Sequence, residues 1–260
     1  MLRARVIPCL LLKNKRLVKT KKFKNPIYIG DPMNAVKIFN EKETDELVFI
    51  DINASNAKKG PDFELIKEIT TECFMPFAYG GGIKNIQQVD QLFALGVEKV
   101  IFGKTAFLQP EIVKEAIAIY GAQSIVAVMD VKQKWLSKNK SVYINNGKKN
   151  TNFSPVEYAL FLQKLGVGEI ILQNIDLDGT RNGLDTELIK TISEQLTIPL
   201  IALGGCGKKK DILTGLQAGA SGIAAGTLFT LREPHDAVLI TYLSEEEINN
   251  LSNVLNEKTT

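Results

Sequence analysis

Apolar residues along this chain gather in short dense runs separated by longer stretches of mixed character. The runs at 5–12, 46–52, 76–80, 99–103, 124–130, 169–174, 199–203 and 222–225 are nearly all apolar. Strands of that kind are buried on both faces, as in a parallel sheet. Between them lie segments such as PMNAVKIFNEKE (32–43), DFELIKEITTECF (62–74), NIQQVDQLFALG (85–96), PEIVKEAIAIYG (110–121), PVEYALFLQKLG (155–166), DTELIKTISEQL (185–196) and KDILTGLQAG (210–219), with apolar residues at helical spacing. Several open on Pro or Asp and close on Gly, the usual asymmetry of helix starts and stops. A further helix is predicted in SEEEINNLSNVL (244–255).

Eight strands alternating with helices predict an α/β fold, a (β/α)₈ barrel. The competing arrangement, an open doubly wound sheet, lacks support because no dinucleotide-binding glycine pattern follows the first strand. The chain also repeats itself: FIDINAS (49–55) resembles NIDLDGT (174–180), PFAYGGGIKN (76–85) resembles PLIALGGCGK (199–208), and LGVEKVIFGKTAF (95–107) resembles AGASGIAAGTLF (218–229). A period of about 124 residues in a βα chain points to a barrel of two duplicated half-barrels, not a solenoid. No linker interrupts it, so residues 1–260 read as one barrel domain; the polar stretch at 132–152 reads as a loop after the fifth strand.

Composition narrows the function classes. With 45% hydrophobic and 23% charged residues the chain is an ordinary globular protein, and a net charge of +3 is too small to argue for nucleic acid. No apolar run approaches the ~20 residues that span a bilayer, and the N-terminus runs straight into a strand without a cleavage signal, so a mature cytoplasmic protein is expected. His235 is the only histidine, which argues against a Ser–His–Asp triad or a multi-histidine zinc site. Cys9, Cys73 and Cys206 lack metal-site spacing and read as reduced thiols. Neither a metal nor a cofactor is expected. Lysines cluster at 13–24, 58–59, 147–149 and 208–210, each cluster reading as a solvated loop or, for the first, as a loop suited to an anion.

Candidate chemistry sits at the strand ends. Glycines follow the third strand (Gly80, Gly81, Gly82) and the seventh (Gly204, Gly205, Gly207), and Gly103-Lys104-Thr105 and Gly226-Thr227 follow the fourth and eighth. Glycine lets backbone N–H groups approach an anion, and barrels often hold phosphate on the loops after strands seven and eight. The doubled pattern suits a ligand with a phosphate at each end, and Asp178-Gly179-Thr180 adds a turn to the second site. Asp51, Asp130 and Asp176 close strands on the face where barrel active sites lie. Asp130, delivered by the apolar stretch SIVAVM, is the best candidate acid or base. At the opposite face Arg5, Glu46, Lys99 and Glu169 open four strands with alternating sign, which suggests a salt-bridged layer at the barrel floor.

In order along the chain, RVIPCL, GDP, DELVFIDINAS, GGGI, GVEKV, GEIIL, DLDGT and a late AGA resemble the cyclase subunit of imidazole glycerol phosphate synthase, the HisF family, over essentially the whole length. The resemblance implies a duplicated (β/α)₈ barrel that pairs with a glutaminase subunit. It implies that ammonia enters at the floor and meets a bisphosphorylated ribulosyl substrate at the mouth. On that basis Arg5, Glu46, Lys99 and Glu169 would be the ammonia gate, Lys19 a substrate contact and Asp130 the catalytic aspartate. Gly82, Lys104, Asp178, Gly179, Gly205, Gly226 and Thr227 would fall at the phosphate sites.

The departures are at the mouth. The family's aspartate at the end of strand one is Leu11 here, and Leu203, Gln173 and Gly103-Lys104 replace other polar residues. Leucine exchanges no proton, and losing a positioned acid or base removes ~10²–10⁴-fold in rate. The expectation is a paralogue that keeps the glutaminase partner and the ammonia path but serves another acceptor. The resemblance points to sugar amidation in surface-polysaccharide or nonulosonic-acid pathways, with a sugar amidotransferase as a further partner. A working histidine-pathway cyclase and a non-catalytic scaffold that activates a glutaminase are the alternatives.

Overall fold

Eight parallel strands close on themselves. In the computed structural model, which describes residues 3–54, 60–134 and 139–257, they are β1 (Val6–Lys13), β2 (Leu47–Asp51), β3 (Phe77–Gly80), β4 (Lys99–Phe102), β5 (Ile125–Gln133), β6 (Glu169–Asn174), β7 (Leu200–Leu203) and β8 (Gly222–Ala225). Each pairs in parallel with the next, and β8 returns to β1 through Val6 opposite Ile223. The predicted barrel is therefore the observed one. The lysines at 58–59, part of the 132–152 stretch and both chain ends lie outside the described residues.

The helices stand where the apolar spacing put them: α1 (Pro32–Glu41), α2 (Phe63–Glu72), α3 (Ile86–Ala94), α4 (Pro110–Tyr120), α5 (Pro155–Leu165), α6 (Thr186–Ser193), α7 (Lys209–Gln217) and α8 (Glu245–Glu257). Asp31, Asp62, Asn85, Ser154 and Asp185 cap the first turns of α1, α2, α3, α5 and α6 by accepting backbone N–H bonds, each worth about 1 kcal/mol. Outward strand residues such as Phe49, Phe77 and Phe102 pack against the helices in one large apolar layer. Inward residues form a separate core of Ile7, Val48, Ala78, Ile101, Val126, Ile171, Ile201 and Ala224 that fills the barrel. Among the described residues no helix is long and apolar enough to cross a membrane.

Two segments read as loops are sheet. The basic stretch after β1 turns back at Asn14-Lys15, both at positive φ, and runs as Arg16–Lys21 antiparallel to β1, then as Lys24–Gly30. Lysine seldom marks such a turn, so the only local signal was Asn14. Past Asp130, β5 continues to Gln133 and pairs antiparallel with Lys140–Ile144, which turns at Asn145-Asn146. Asp130 therefore stands inside an extended strand, not at its end, and both hairpins rise beside the barrel mouth.

The halves match closely at their glycine turns. Gly81 (φ +136°) and Gly204 (φ +102°) each lie where a Cβ would strike the carbonyl oxygen closing the neighbouring strand, Asp51 O at 2.6 Å and Asn174 O at 2.5 Å. This correspondence equates Asp51 with Asn174, whereas the motif alignment of FIDINAS with NIDLDGT had set it against Asp176. Likewise Leu11 faces Ile50 across β1 and β2, as Asp130 faces Gln173 across β5 and β6.

Candidate functional site

A cavity of ≈ 180 Å³ opens at the carboxyl ends of the strands, where barrel active sites lie. Its walls are mainly apolar, with Leu11, Ile50, Ile101, Val128, Ile171 and Leu203 below and Phe23 and Tyr143 from the two hairpins above. Asp130 projects into this setting and accepts no hydrogen bond from the described residues. Burial pushes its carboxyl up to about 7, and the charge of Asp178 adds to the shift. Near neutral pH such a group both gives and takes a proton readily. The corresponding position on β1 is Leu11, so Asp130 has no carboxyl counterpart there, and the other carboxyls lining the cavity are Asp51 and Asp178.

Lys19 and Asp178 form a buried pair on the second-half side, with Nζ 3.0 Å from Oδ1. The Thr20 hydroxyl donates to Asp178 Oδ2 at 3.0 Å, and Lys22 N donates to Asp178 O at 2.9 Å, so the first hairpin is docked onto the loop after β6. Gly179 (φ +71°) permits that docking, because a Cβ there would lie 2.5 Å from Thr20 O. The Lys19 stem crosses Gly226, its Cε 3.2 Å from where a Cβ would stand. On the first-half side the turn at Gly80–Gly82 and the Gly103-Lys104 step line the cavity, together with Lys84.

The cavity thus brings together Lys19, Gly82, Lys104, Asp130, Asp178 and Gly226. Gly179, Gly205 and Thr227 stand behind its wall: Gly205 allows a close backbone approach, with Gly183 O 2.0 Å from a notional Cβ, and Thr227 is buried. The other two aspartates have local duties, and Asp176 lies in the turn beyond β6, which ends at Asn174, and not at the strand end expected for it. Asp51 Oδ1 accepts from Asn53 N at 2.8 Å and Ala54 N at 2.9 Å, shaping a turn, while Asp176 accepts from Gln133 N at 2.8 Å. Cys9 is buried below the mouth. Desolvation, eased by Lys19 and reinforced by Asp178, pushes its thiol up to about 12, which leaves it unreactive.

At the opposite end the four strand-opening charges close into a ring. Arg5 bonds Glu46 at 2.7 Å and Glu169 at 2.8 Å, and Lys99 lies 3.0 Å from Glu46 and 3.8 Å from Glu169. Burial alone would raise the Glu46 carboxyl, but Arg5 and then Lys99 outweigh it and hold it below the ordinary carboxylate range. Burial likewise works against the Arg5 charge, and Glu169 and Glu46 more than compensate. Directly above the ring lies a void of ≈ 10 Å³, lined by Ile7, Val48, Ala78 and their neighbours, about the room one small polar molecule needs.

Sequence reasoning missed Tyr158, Lys84 and Phe23 as cavity residues. Tyr158 sits at a helical core position of α5 and reads as packing. Phe23 and Lys84 carried no signal beyond adjacency to a basic loop and a glycine turn.

Closed barrel, duplicated halves and a strand-end cavity whose carboxyls Asp130 and Asp51 are both raised by burial define a (β/α)₈ protein of the half-barrel type. The family model for histidine biosynthesis protein matches residues 5–234. Among relatives, the chain is 45% identical over 243 residues to a Pseudomonas aeruginosa protein provisionally named imidazole glycerol phosphate synthase subunit hisF2, covering 93% of this chain and 96% of that one. A Leptospira interrogans protein under a like provisional name is 44% identical over 248 residues, 95% of this chain and 98% of its own. Imidazole glycerol phosphate synthase subunit HisF of Leptospira biflexa is 38% identical over 230 residues, 88% and 90% of the two chains. The chain belongs to the HisF family of histidine biosynthesis proteins.

Proposed function

We propose that this chain is a synthase subunit that pairs with a glutaminase of the HisH kind and passes ammonia along the barrel axis to an acceptor at the mouth. The observation that carries this is the contrast along that axis. Below are a closed charge ring and a void of molecular size; above, a cavity with Asp130 and no second carboxyl at Leu11. A partner on the floor face is supported by Phe74, exposed at 84% in the connection into β3, and Ile119, exposed at 56% in the last turn of α4 before β5. The acceptor carries phosphate, held by Gly82 and Lys104 at one end and by Gly226 and the turn at Asp178 at the other, with Lys19 between and with Gly179, Gly205 and Thr227 shaping those turns from behind the wall.

The lost acid at Leu11 favours an acceptor other than the ribulosyl substrate, and a surface-polysaccharide or nonulosonic-acid sugar amidated with the help of an amidotransferase fits the family resemblance. The name of the Leptospira biflexa relative favours a second reading, a working cyclase of histidine biosynthesis. Purified barrel, given ammonium salt at high pH and the bisphosphorylated ribulosyl substrate, separates the two. No turnover by the native chain and partial gain in Leu11→Asp support the first reading; native turnover establishes the second.

A further inference from the structure

Asp130 and the anion-holding turns leave two buried polar side chains of the cavity wall without a task, Gln173 and Tyr158, and only Tyr158 is held in a fixed aromatic clamp. Tyr158, near the start of α5, is 2% exposed and lines the mouth. Its ring is clamped by aromatic neighbours: stacked on Phe161 with centroids 5.7 Å apart, edge-on to Phe153 at 5.7 Å and tilted against Phe107 at 6.2 Å. Its hydroxyl meets no hydrogen-bond partner among the described residues. Tyr79 differs, since its hydroxyl is sealed in without a partner, whereas Tyr158 borders open cavity. A buried hydroxyl without a bond is costly, and native interiors rarely leave one so unless water or a ligand completes it.

The neighbourhood says what it would meet. Around the middle of the cavity stand Leu11, Ile50, Ile101 and Val128, so a polar atom of a ligand lodged there finds few donors. Burial, reinforced by the nearby Asp130, opposes ionisation of the Tyr158 phenol, which therefore acts as a donor. The flanking turns with Lys84 and Lys104 on one side and Gly226 on the other would fix the charged ends of a ligand and bring its centre against the β5–α5 wall.

We propose that Tyr158 is a ligand-binding residue, its hydroxyl donating to an acceptor oxygen or nitrogen between the two anionic ends of the substrate, beside the atom served by Asp130. The inference rests on the reading of the mouth as a two-ended phosphate site, and it extends that reading by requiring an acceptor group, such as a carbonyl or imine, in the ligand's middle.

Tyr158→Phe keeps the ring and its aromatic clamp and removes only the hydroxyl. Calorimetric titration of native and variant protein would use two probes: ribulose 1,5-bisphosphate, with acceptors between its phosphates, and pentane-1,5-diol bisphosphate, with none. The expected result is a loss of about fivefold in affinity for the ketose, the worth of one neutral hydrogen bond, with the diol bisphosphate unchanged. Equal weakening of both, or no change in either, overturns the inference while the phosphate reading stands on diol binding. Failure of the native protein to bind either probe removes the phosphate reading and this inference with it.

Discussion

Floor and mouth of this barrel handle charge in opposite ways. At the floor two cations and two carboxylates satisfy one another in a closed cycle, every member within 3.8 Å of both its neighbours. At the mouth Asp130 has no partner, and neither Lys84 nor Lys104 forms an ion pair among the described residues. Charge withdrawn from water must be compensated. The floor supplies that compensation from within the chain, and so it is finished as folded. At the mouth Lys19 and Asp178 pair in the same way, but Asp130, Lys84 and Lys104 leave theirs to something that binds. The difference separates a structural use of ionisable residues from a receptive one, within the length of a single strand.

The sharpest way to break the contrast is to neutralise the unpartnered carboxyl of Asp130. Asp130→Asn is expected to keep the fold and to lower ammonia-dependent conversion by ~10²–10⁴-fold, measured as turnover with the acceptor that the native protein uses. Activity within tenfold of native would make Asp130 another structural charge. At the floor the loss should be in stability. Glu169→Ala leaves Arg5 and Lys99 sharing Glu46 alone, which should cost about 2 kcal/mol in urea denaturation, less than the ~3–5 kcal/mol of a fully buried pair because the cations are partly exposed. A cost near zero would show the ring to be dispensable.

Protonation sharpens the comparison further. Because Asp130 is raised to about 7, the folded protein holds a proton that the unfolded chain, titrating near 4, releases between those values. Stability should therefore fall as pH rises from about 4 to about 7, by on the order of 1–2 kcal/mol in a water-accessible cavity. Asp130→Asn should abolish that slope. Glu46 runs the other way: its lowered pKa means that the floor's contribution is present above the ordinary carboxylate range and is lost on acidification. The smallest effect is expected at the cavity rim, where Lys104→Ala should weaken inorganic phosphate binding about threefold at low salt and less at high salt. Salt-independent weakening would argue against a charge contact.

Much of this contrast was legible beforehand. Strand and helix positions followed from apolar periodicity, and the ring could be suspected because Arg5, Glu46, Lys99 and Glu169 each opened a strand. What escaped was the extent of the sheet beyond the barrel. The turns at Asn14-Lys15 and Asn145-Asn146 lie among lysines and asparagines whose polarity reads as loop, and neither hairpin shows the alternation of a half-buried strand. Tyr158 escaped for a different reason: at helical spacing an aromatic residue reads as core, and only the cavity beside it reveals a hydroxyl with nowhere to go. The placement of Gly179 and Gly205 behind the wall was equally hidden, since a glycine needed for close backbone approach looks in sequence like one needed for a ligand.

The floor ring has a bearing on how such a barrel came to be and whether the process could be reversed. Three of its members, Arg5, Glu46 and Lys99, belong to the first half, and Glu169 alone to the second. Two copies of the first half placed face to face would set four cations against two carboxylates, and two copies of the second would bring only like charges together. Neither half can rebuild the floor from its own twin. Whatever symmetric ancestor the repeat preserves, its two descendants now differ at the floor, and the ring is a feature that only their pairing completes.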